Sequence, residues 1–295
     1  MNHTSLEIFT VVAEELSIIK AATRLGRVQS NITTRIQQLE QELGVQLFSR
    51  ENRRLALTSQ GRKFLGYAQR ILSLAQEARQ SLHPQQPSGT LALGAMECAA
   101  ASRLSMPLSH FRQACPQVRL TLATLPTRQL TEKVYNAQLD CALVALPEGR
   151  DGNVICPDGL SSQPLFVEQM TLVLPVGFDQ AKSGNDAGAL KLAAFRQGCR
   201  YRELAIGLMA RRLPANQQPA VQEVGSYHAM LACVAAGNYL CLLPASVLEL
   251  LQLPAGVTLV AAGSATTHFI WRADARSPAL DSLRRALAAT SNVER

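Results

Sequence analysis

Apolar residues recur at helical spacing from the start of the chain. Leu6, Phe9, Val12, Ala13 and Leu16 make one stripe, and Ala21, Ala22 and Leu25 make another, so residues 5–25 are expected to be helical. Gly26 breaks the pattern. Ile32, Ile36, Leu39 and Leu43 then mark one face of a further helix, with Gly44 as its C-cap. Residues 46–58 change period. Leu47-Phe48, a polar tip Arg50-Glu51-Asn52-Arg53-Arg54, and alternating Leu55 and Leu57 read as a short hairpin. Thr58 is a natural N-cap for a long helix from about Ser59 to Leu82. Its apolar positions Phe64, Leu65, Ala68, Ile71, Leu72, Ala75, Ala78 and Leu82 persist for about five turns. A lone helix cannot bury such a stripe, and the expected cover is the same helix of a second copy.

The run His83-Pro84-Gln85-Gln86-Pro87-Ser88-Gly89 is a linker by composition. Beyond it Thr90–Ala95, Val118–Leu122, Cys141–Ala145, Met170–Pro175, Leu240–Leu243 and Phe269–Trp271 read as buried strands. Amphipathic helical segments such as 102–114 and 127–138 lie between them. Strands alternating with helices imply α/β units on a mostly parallel sheet.

A length of 295 residues suits two domains at roughly 150 residues each. With 47% hydrophobic and 17% charged residues, a substantial core is available. No apolar run is long enough for a bilayer and no export leader is visible, so a cytoplasmic protein without a membrane partner is expected. Seven cysteines, an odd number without any CxxC and all beyond residue 97, exclude a disulfide framework or a zinc finger. They read as buried thiols, with a redox-sensing cysteine as the sharper alternative. Eleven Lys/Arg against seven Asp/Glu in residues 1–83 leave +4, and eighteen against fifteen in the rest leave +3, making the net +7. The denser basic excess at the N-terminus is compatible with a polyanion partner.

The sharpest signal lies in residues 18–40. A helix-turn-helix needs a small residue where its helices touch, a turn residue that tolerates positive φ, and an apolar anchor on the second helix. Ala22, Gly26 and Ile32 fit those places. An ordinary helical hairpin has the same three features. The second helix separates the two readings, because its outer positions are Gln29, Ser30, Asn31, Thr33, Thr34 and Arg35. Glutamine and asparagine pair bidentately with adenine, and the hydroxyls serve base edges or phosphate. No acidic residue occurs from Lys20 to Leu39 to repel a backbone. The hairpin tip would be a wing, with Arg53 and Arg54 on phosphate or in the minor groove, unless it is simply a solvated loop.

The runs Phe9–Ser17, Ala21–Leu25, Val28–Glu40, Leu43–Arg50 and Leu57–Gly61 resemble the LysR-type transcriptional regulator signature. The resemblance is strong over about residues 3–82 and looser to the C-terminus. It implies a mostly-α winged helix-turn-helix over residues 1–58, a linker helix and hinge over 59–87, and an α/β, two-lobed, periplasmic-binding-protein-like effector domain over 88–295. Lobe I would hold about 88–161 and 266–295, and lobe II about 162–265. The implied function is sequence-specific, effector-modulated transcription regulation without enzymatic activity. The implied partners are double-stranded DNA, a small molecule bound non-covalently in the cleft, a further copy through the linker helix, up to a homotetramer, and RNA polymerase. No cofactor or metal is expected.

In such a fold the cleft is lined by strand ends and helix N-termini, which favour anions. The matching positions here are Glu97, Cys98 and Ala99 after the first strand, Thr127 and Arg128 after the second, Cys199 and Tyr201 within the segment 195–202, and Ser226, Tyr227 and His228 opening a helix. Many relatives place Ser or Thr where this chain has Cys98 and Ala99. Together with Glu97, that departure weakens the case for a carboxylate held at the first helix, although the arginines of 196–202 offer compensation. An enzyme is the competing class, but no GxSxG, HExxH or P-loop occurs and the five histidines are scattered. A Cys–His pair from Cys98 or Cys199 with His228 has no flanking signature. A transport solute-binding protein would suit the second half but not the helix-turn-helix.

Overall fold

The structure is a computed structural model that describes residues 1–51, 54–81, 87–149, 152–175, 177, 191–211 and 219–291. The chain divides into two compact units, which begin at Met1 and at Pro87.

The first unit opens with helices α1 (His3–Glu15), α2 (Ile18–Leu25) and α3 (Gln29–Leu43). The helical stretch expected over 5–25 is thus two helices. Leu16 takes a left-handed conformation (φ 46°), and the Ser17 side chain accepts from the Lys20 amide to start α2 afresh. A hairpin of β1 (Phe48–Glu51) and β2 (Arg54–Leu57) pairs Phe48 with Leu57 and Arg50 with Leu55. Helix α4 (Ser59–Ser81) follows. Phe9 sits at the centre of this unit's core. Its ring lies 5.5 Å from that of Phe48 and 5.2 Å from that of Phe64, so one residue ties α1 to the hairpin and to α4.

The long apolar stripe of α4 is divided. Phe64, Leu65, Ala68 and Leu72 pack on the core of their own unit. Tyr67, Ile71 and Leu74 stay exposed on another face, at 55%, 40% and 65%. Leu82 lies outside the described residues.

The second unit runs β3 (Gly89–Ala95), α5 (Glu97–Ser102), α6 (Ser105–Ala114), β4 (Val118–Thr124), α7 (Thr127–Tyr135), β5 (Cys141–Ala145), β6 (Leu160–Leu174), β7 (Lys191–Ala194), α8 (Arg200–Ala210), β8 (Val221–Glu223), α9 (Tyr227–Ala235), β9 (Tyr239–Pro244), α10 (Ala245–Leu248), β10 (Thr258–Arg272) and α11 (Pro278–Ala288). Its strands form one sheet in the order β4-β3-β5-β10-β6-β9-β7-β8. The sheet is mixed rather than mostly parallel. Parallel triplets, β4-β3-β5 and β9-β7-β8, occupy the two ends. Between them run β6 and β10, antiparallel to each other and to their neighbours. These two long strands are the crossovers that join two α/β lobes, and both are far longer than the apolar runs 170–175 and 269–271 suggest.

Every residue of β5 is buried, as expected of a strand covered on both faces. A polar cluster pins the root of the lobes. The Arg103 guanidinium, just after α5, meets the Glu168 carboxylate in the middle of β6 through two bonds of 2.7 and 2.9 Å, and it lies over the Phe166 ring at 5.2 Å. The Ser246 hydroxyl at the start of α10 donates to Glu168 at 2.6 Å and lies 3.2 Å from the Ser102 hydroxyl. Glu168 is 1% exposed, so its charge is balanced almost wholly by these partners.

Candidate DNA-reading face and ligand cavity

The α2–α3 turn is made by Gly26 at φ 62°, a conformation that a side chain resists. The Arg27 amide closes it onto the Ala22 carbonyl at 2.9 Å, and Ala22 and Ile32 are buried at the contact. Arg24 pairs with Glu14 at 2.8 Å and Glu15 at 3.0 Å, tying α2 to the end of α1. The bond to Glu15, ahead of the opposing cost of burial, raises the Arg24 pKa.

On α3, Ile32, Ile36 and Leu39 face the core. Gln29, Ser30, Asn31, Thr33 and Thr34 are all exposed, and Arg35 is half-buried beside the Gln38 amide oxygen at 3.4 Å. The Thr33 hydroxyl donates to the Gln29 carbonyl at 3.0 Å, which leaves its lone pairs outward. The N-cap is Val28, whose side chain accepts no hydrogen bond, so the leading amides of α3 have no side-chain cap. Arg54 is exposed at the start of β2. Arg53 lies outside the described residues.

Two contacts hold the hairpin to the helices. The Glu40 carboxylate accepts from the Leu47 and Phe48 amides at 2.7 and 3.1 Å. Thr58 accepts from the Gly61 amide at 2.9 Å and donates to the Gln46 carbonyl at 2.8 Å. Gly61 packs against Leu47 so closely that a Cβ there would overlap the Leu47 carbonyl.

In the second unit a cavity of about 400 Å³ opens between the lobes. Lobe I contributes Met96, Glu97 and Thr124–Thr127, and lobe II contributes Phe195, Arg196, Cys199, Tyr201, Glu223–Gly225 and Tyr227. Phe195 and Tyr227 meet edge to face, with centroids 5.0 Å apart. Of the ten positions expected in the cleft, Glu97, Thr127, Cys199, Tyr201 and Tyr227 line this cavity. Five are placed elsewhere. Cys98 and Ala99 are buried behind the wall, at 1% and 0% exposure. Arg128 lines a second cavity of about 300 Å³ on the other side of a lobe–lobe bond from the Arg128 amide to the Gly198 carbonyl at 3.2 Å. Ser226 caps α9, accepting from the Ala229 amide at 3.2 Å, and His228 is exposed outside the wall.

Helix phase explains these placements. One residue of a first turn faces the cleft, and its neighbour, about 100° round, faces the core or solvent. Met96, Thr124, Leu125, Glu223 and Val224 were not singled out from sequence. The available signal was their position at strand ends immediately before helices.

Cys98 donates to the Tyr201 hydroxyl at 3.3 Å, a buried bond between lobes. Burial pushes the Cys98 thiol up to about 12, and it also raises Cys199 and holds Tyr201 and Tyr227 well above the usual phenol range. Cys98 is therefore a protonated thiol at neutral pH, the opposite of what oxidant sensing needs. Among the described residues no three His, Cys, Asp or Glu side chains gather as metal ligands, and no helix is long and apolar enough to cross a membrane.

A lobed cleft on one unit and a helix-turn-helix with a wing on the other describe a one-chain, DNA-binding, ligand-responsive regulator. Comparison with known proteins agrees. Residues 3–62 match the bacterial regulatory helix-turn-helix protein, lysR family, and residues 84–292 match the LysR substrate binding domain. The chain is 34% identical over 93% of its length to the uncharacterized HTH-type transcriptional regulator YusT of Bacillus subtilis (strain 168), covering 90% of that protein. It is 35% identical over 84% of its length to the HTH-type transcriptional regulator GltR of the same organism, covering 81% of it. Among solved structures it is similar in fold to a full-length OxyR from Pseudomonas aeruginosa, with TM-score 0.73 and 22% identity over 100% of this chain and 99% of that one. It is also similar to CbnR solved with its target DNA, with TM-score 0.63 and 23% identity over 99% and 100% of the two chains. The chain belongs to the LysR family. It is a DNA-binding transcriptional regulator with a substrate-binding domain for an effector, and not an enzyme.

Proposed function

We propose that α3 enters a major groove by its N-terminal turn, that Gln29 and Asn31 read base edges, and that Ser30, Thr33, Thr34 and Arg35 support them. Arg54 and Arg53 of the wing contact the backbone. The observation that carries this reading is the N-terminal turn of α3, where Gln29, Ser30 and Asn31 are exposed, no side chain caps the helix and the sequence from Lys20 to Leu39 holds no acidic residue. The leading amides and the helix dipole favour a phosphate there, while the side chains one turn on reach bases. The effector occupies the cavity of about 400 Å³ between the lobes, which falls within the roughly 300–1,000 Å³ usual for small-molecule sites.

The exposed face Tyr67, Ile71 and Leu74 on α4 supports self-association through that helix, and a homotetramer follows if the second unit also pairs. RNA polymerase is a partner of the DNA-bound state, and the cytoplasm is the compartment. CbnR, the relative in fold solved with its target DNA, supports the DNA part.

The test is fluorescence anisotropy with the protein's own upstream duplex and a scrambled duplex across a salt series. Specific binding that weakens steeply with salt supports the reading, and equal affinity for both duplexes refutes it. Gln29→Ala relaxes preference at one or two base pairs, costing about 1–3 kcal/mol of discrimination. Arg54→Ala weakens all duplexes alike and lowers the salt slope by about 1.

A further inference from the structure

The cavity carries one lone charge of each sign. Glu97, in the first turn of α5, is exposed and makes no hydrogen bond or ion pair with any described residue. Across the cleft Arg196 is likewise exposed, and its guanidinium has no partner among the described residues. The remaining carboxylate of the wall, Glu223, is already paired with Arg202.

The helix starts differ in how they are closed: α5 has no side-chain cap, and at the N-terminus of α7 the Arg128 amide is taken by the Gly198 carbonyl at 3.2 Å. In α9, Ser226 caps the Ala229 amide and the Ser226 carbonyl takes the Met230 amide, but the first two amides of the helix have no such partner. The unpaired side chains therefore place a negative pole, Glu97, on lobe I and a positive pole, Arg196, on lobe II, where the α9 terminus also lies. The wall around them includes the apolar and aromatic side chains of Leu125, Phe195 and Tyr227.

We infer that the ligand of this cavity is a small zwitterion on an apolar body, its ammonium group on Glu97 and its carboxylate on Arg196 and the start of α9. This rests on the reading of the cavity as the effector site. A simple carboxylate would leave Glu97 facing a like charge, and a simple amine would leave Arg196 unmatched. Only a molecule with both groups satisfies both lobes, and in doing so it bridges them.

The experiment is calorimetry and thermal shift on the full chain at low salt. The probes are the twenty protein amino acids and ω-amino acids of three to six carbons, and for each responder the matched acid without the amine and the matched amine without the carboxylate. At least one zwitterion is expected to bind and stabilise, with both truncated partners weaker by about 10- to 100-fold, the worth of a charge-assisted bond. Glu97→Gln is expected to abolish discrimination against the acid, and Arg196→Gln that against the amine. Gly225→Phe fills the cavity from an exposed position where a Cβ meets nothing within 4 Å, and it is expected to abolish all binding.

An acid that binds as tightly as its amino acid, with binding lost in Gly225→Phe, overturns the zwitterion and leaves the cavity as the effector site. No response to any zwitterion also overturns it. Binding that persists in Gly225→Phe removes the cavity reading itself.

Discussion

Arg103→Ala leaves Glu168 in place, 1% exposed, with Ser246 as its remaining donor. The carboxylate is then left in a dry site without its cationic partner. Loss of a partner from a buried pair costs about 3–5 kcal/mol in general, and that is the deficit expected here.

Trp271, the only tryptophan of the chain, lies in β10, so its fluorescence in a urea titration follows the second unit alone. Arg103→Met with Glu168→Leu, which removes both charges, is expected to recover most of the loss. A deficit under about 1 kcal/mol, the size of a surface pair, would refute the reasoning.

Gly61→Ala gains about 1 kcal/mol of helix propensity at an ordinary helical site, but here the new Cβ overlaps the Leu47 carbonyl. It is expected to lower the melting temperature and weaken DNA binding, and an unchanged melting curve would show that the hairpin yields freely. Ile71→Glu places a charge on the exposed face of α4 and is expected to shift sedimentation to a smaller species. An unaltered profile would mean that the assembly does not use this face. Cys98, with its thiol pushed up to about 12, is expected to react with iodoacetamide at pH 8 only as fast as the unit unfolds. Rapid labelling at Cys98 itself, located by peptide mapping because Cys156, Cys199 and Cys233 are only partly buried, would contradict its burial.

Periodicity and capping carried the first unit, because the forces involved act over three or four residues. Gly26 ends α2, Gly44 ends α3 and Thr58 starts α4 where the pattern places them. Ser17 was an equally local signal for a second start, overlooked because the apolar positions on either side form nearly continuous stripes. The outer side of α3 was legible for the same reason: once Ile32, Ile36 and Leu39 face inward, the phase of a helix leaves Gln29, Ser30, Asn31, Thr33 and Thr34 outward.

Tertiary packing decided the rest. The lengths of β6 and β10 are hidden in sequence by polar positions such as Gln163 and Glu168, which become acceptable in a strand only when a partner strand, or Arg103 from 65 residues away, satisfies them. The apolar stripe of α4 was plain, yet which residues the protein covers for itself depended on where Phe9 and Phe48 came to lie. In the cleft, residue types pointed to segments that line the cavity but did not separate the lining residues from their neighbours. A shift of one residue turns a side chain about 100° around its helix, and that angle separates Glu97 in the cavity wall from Cys98 in the core.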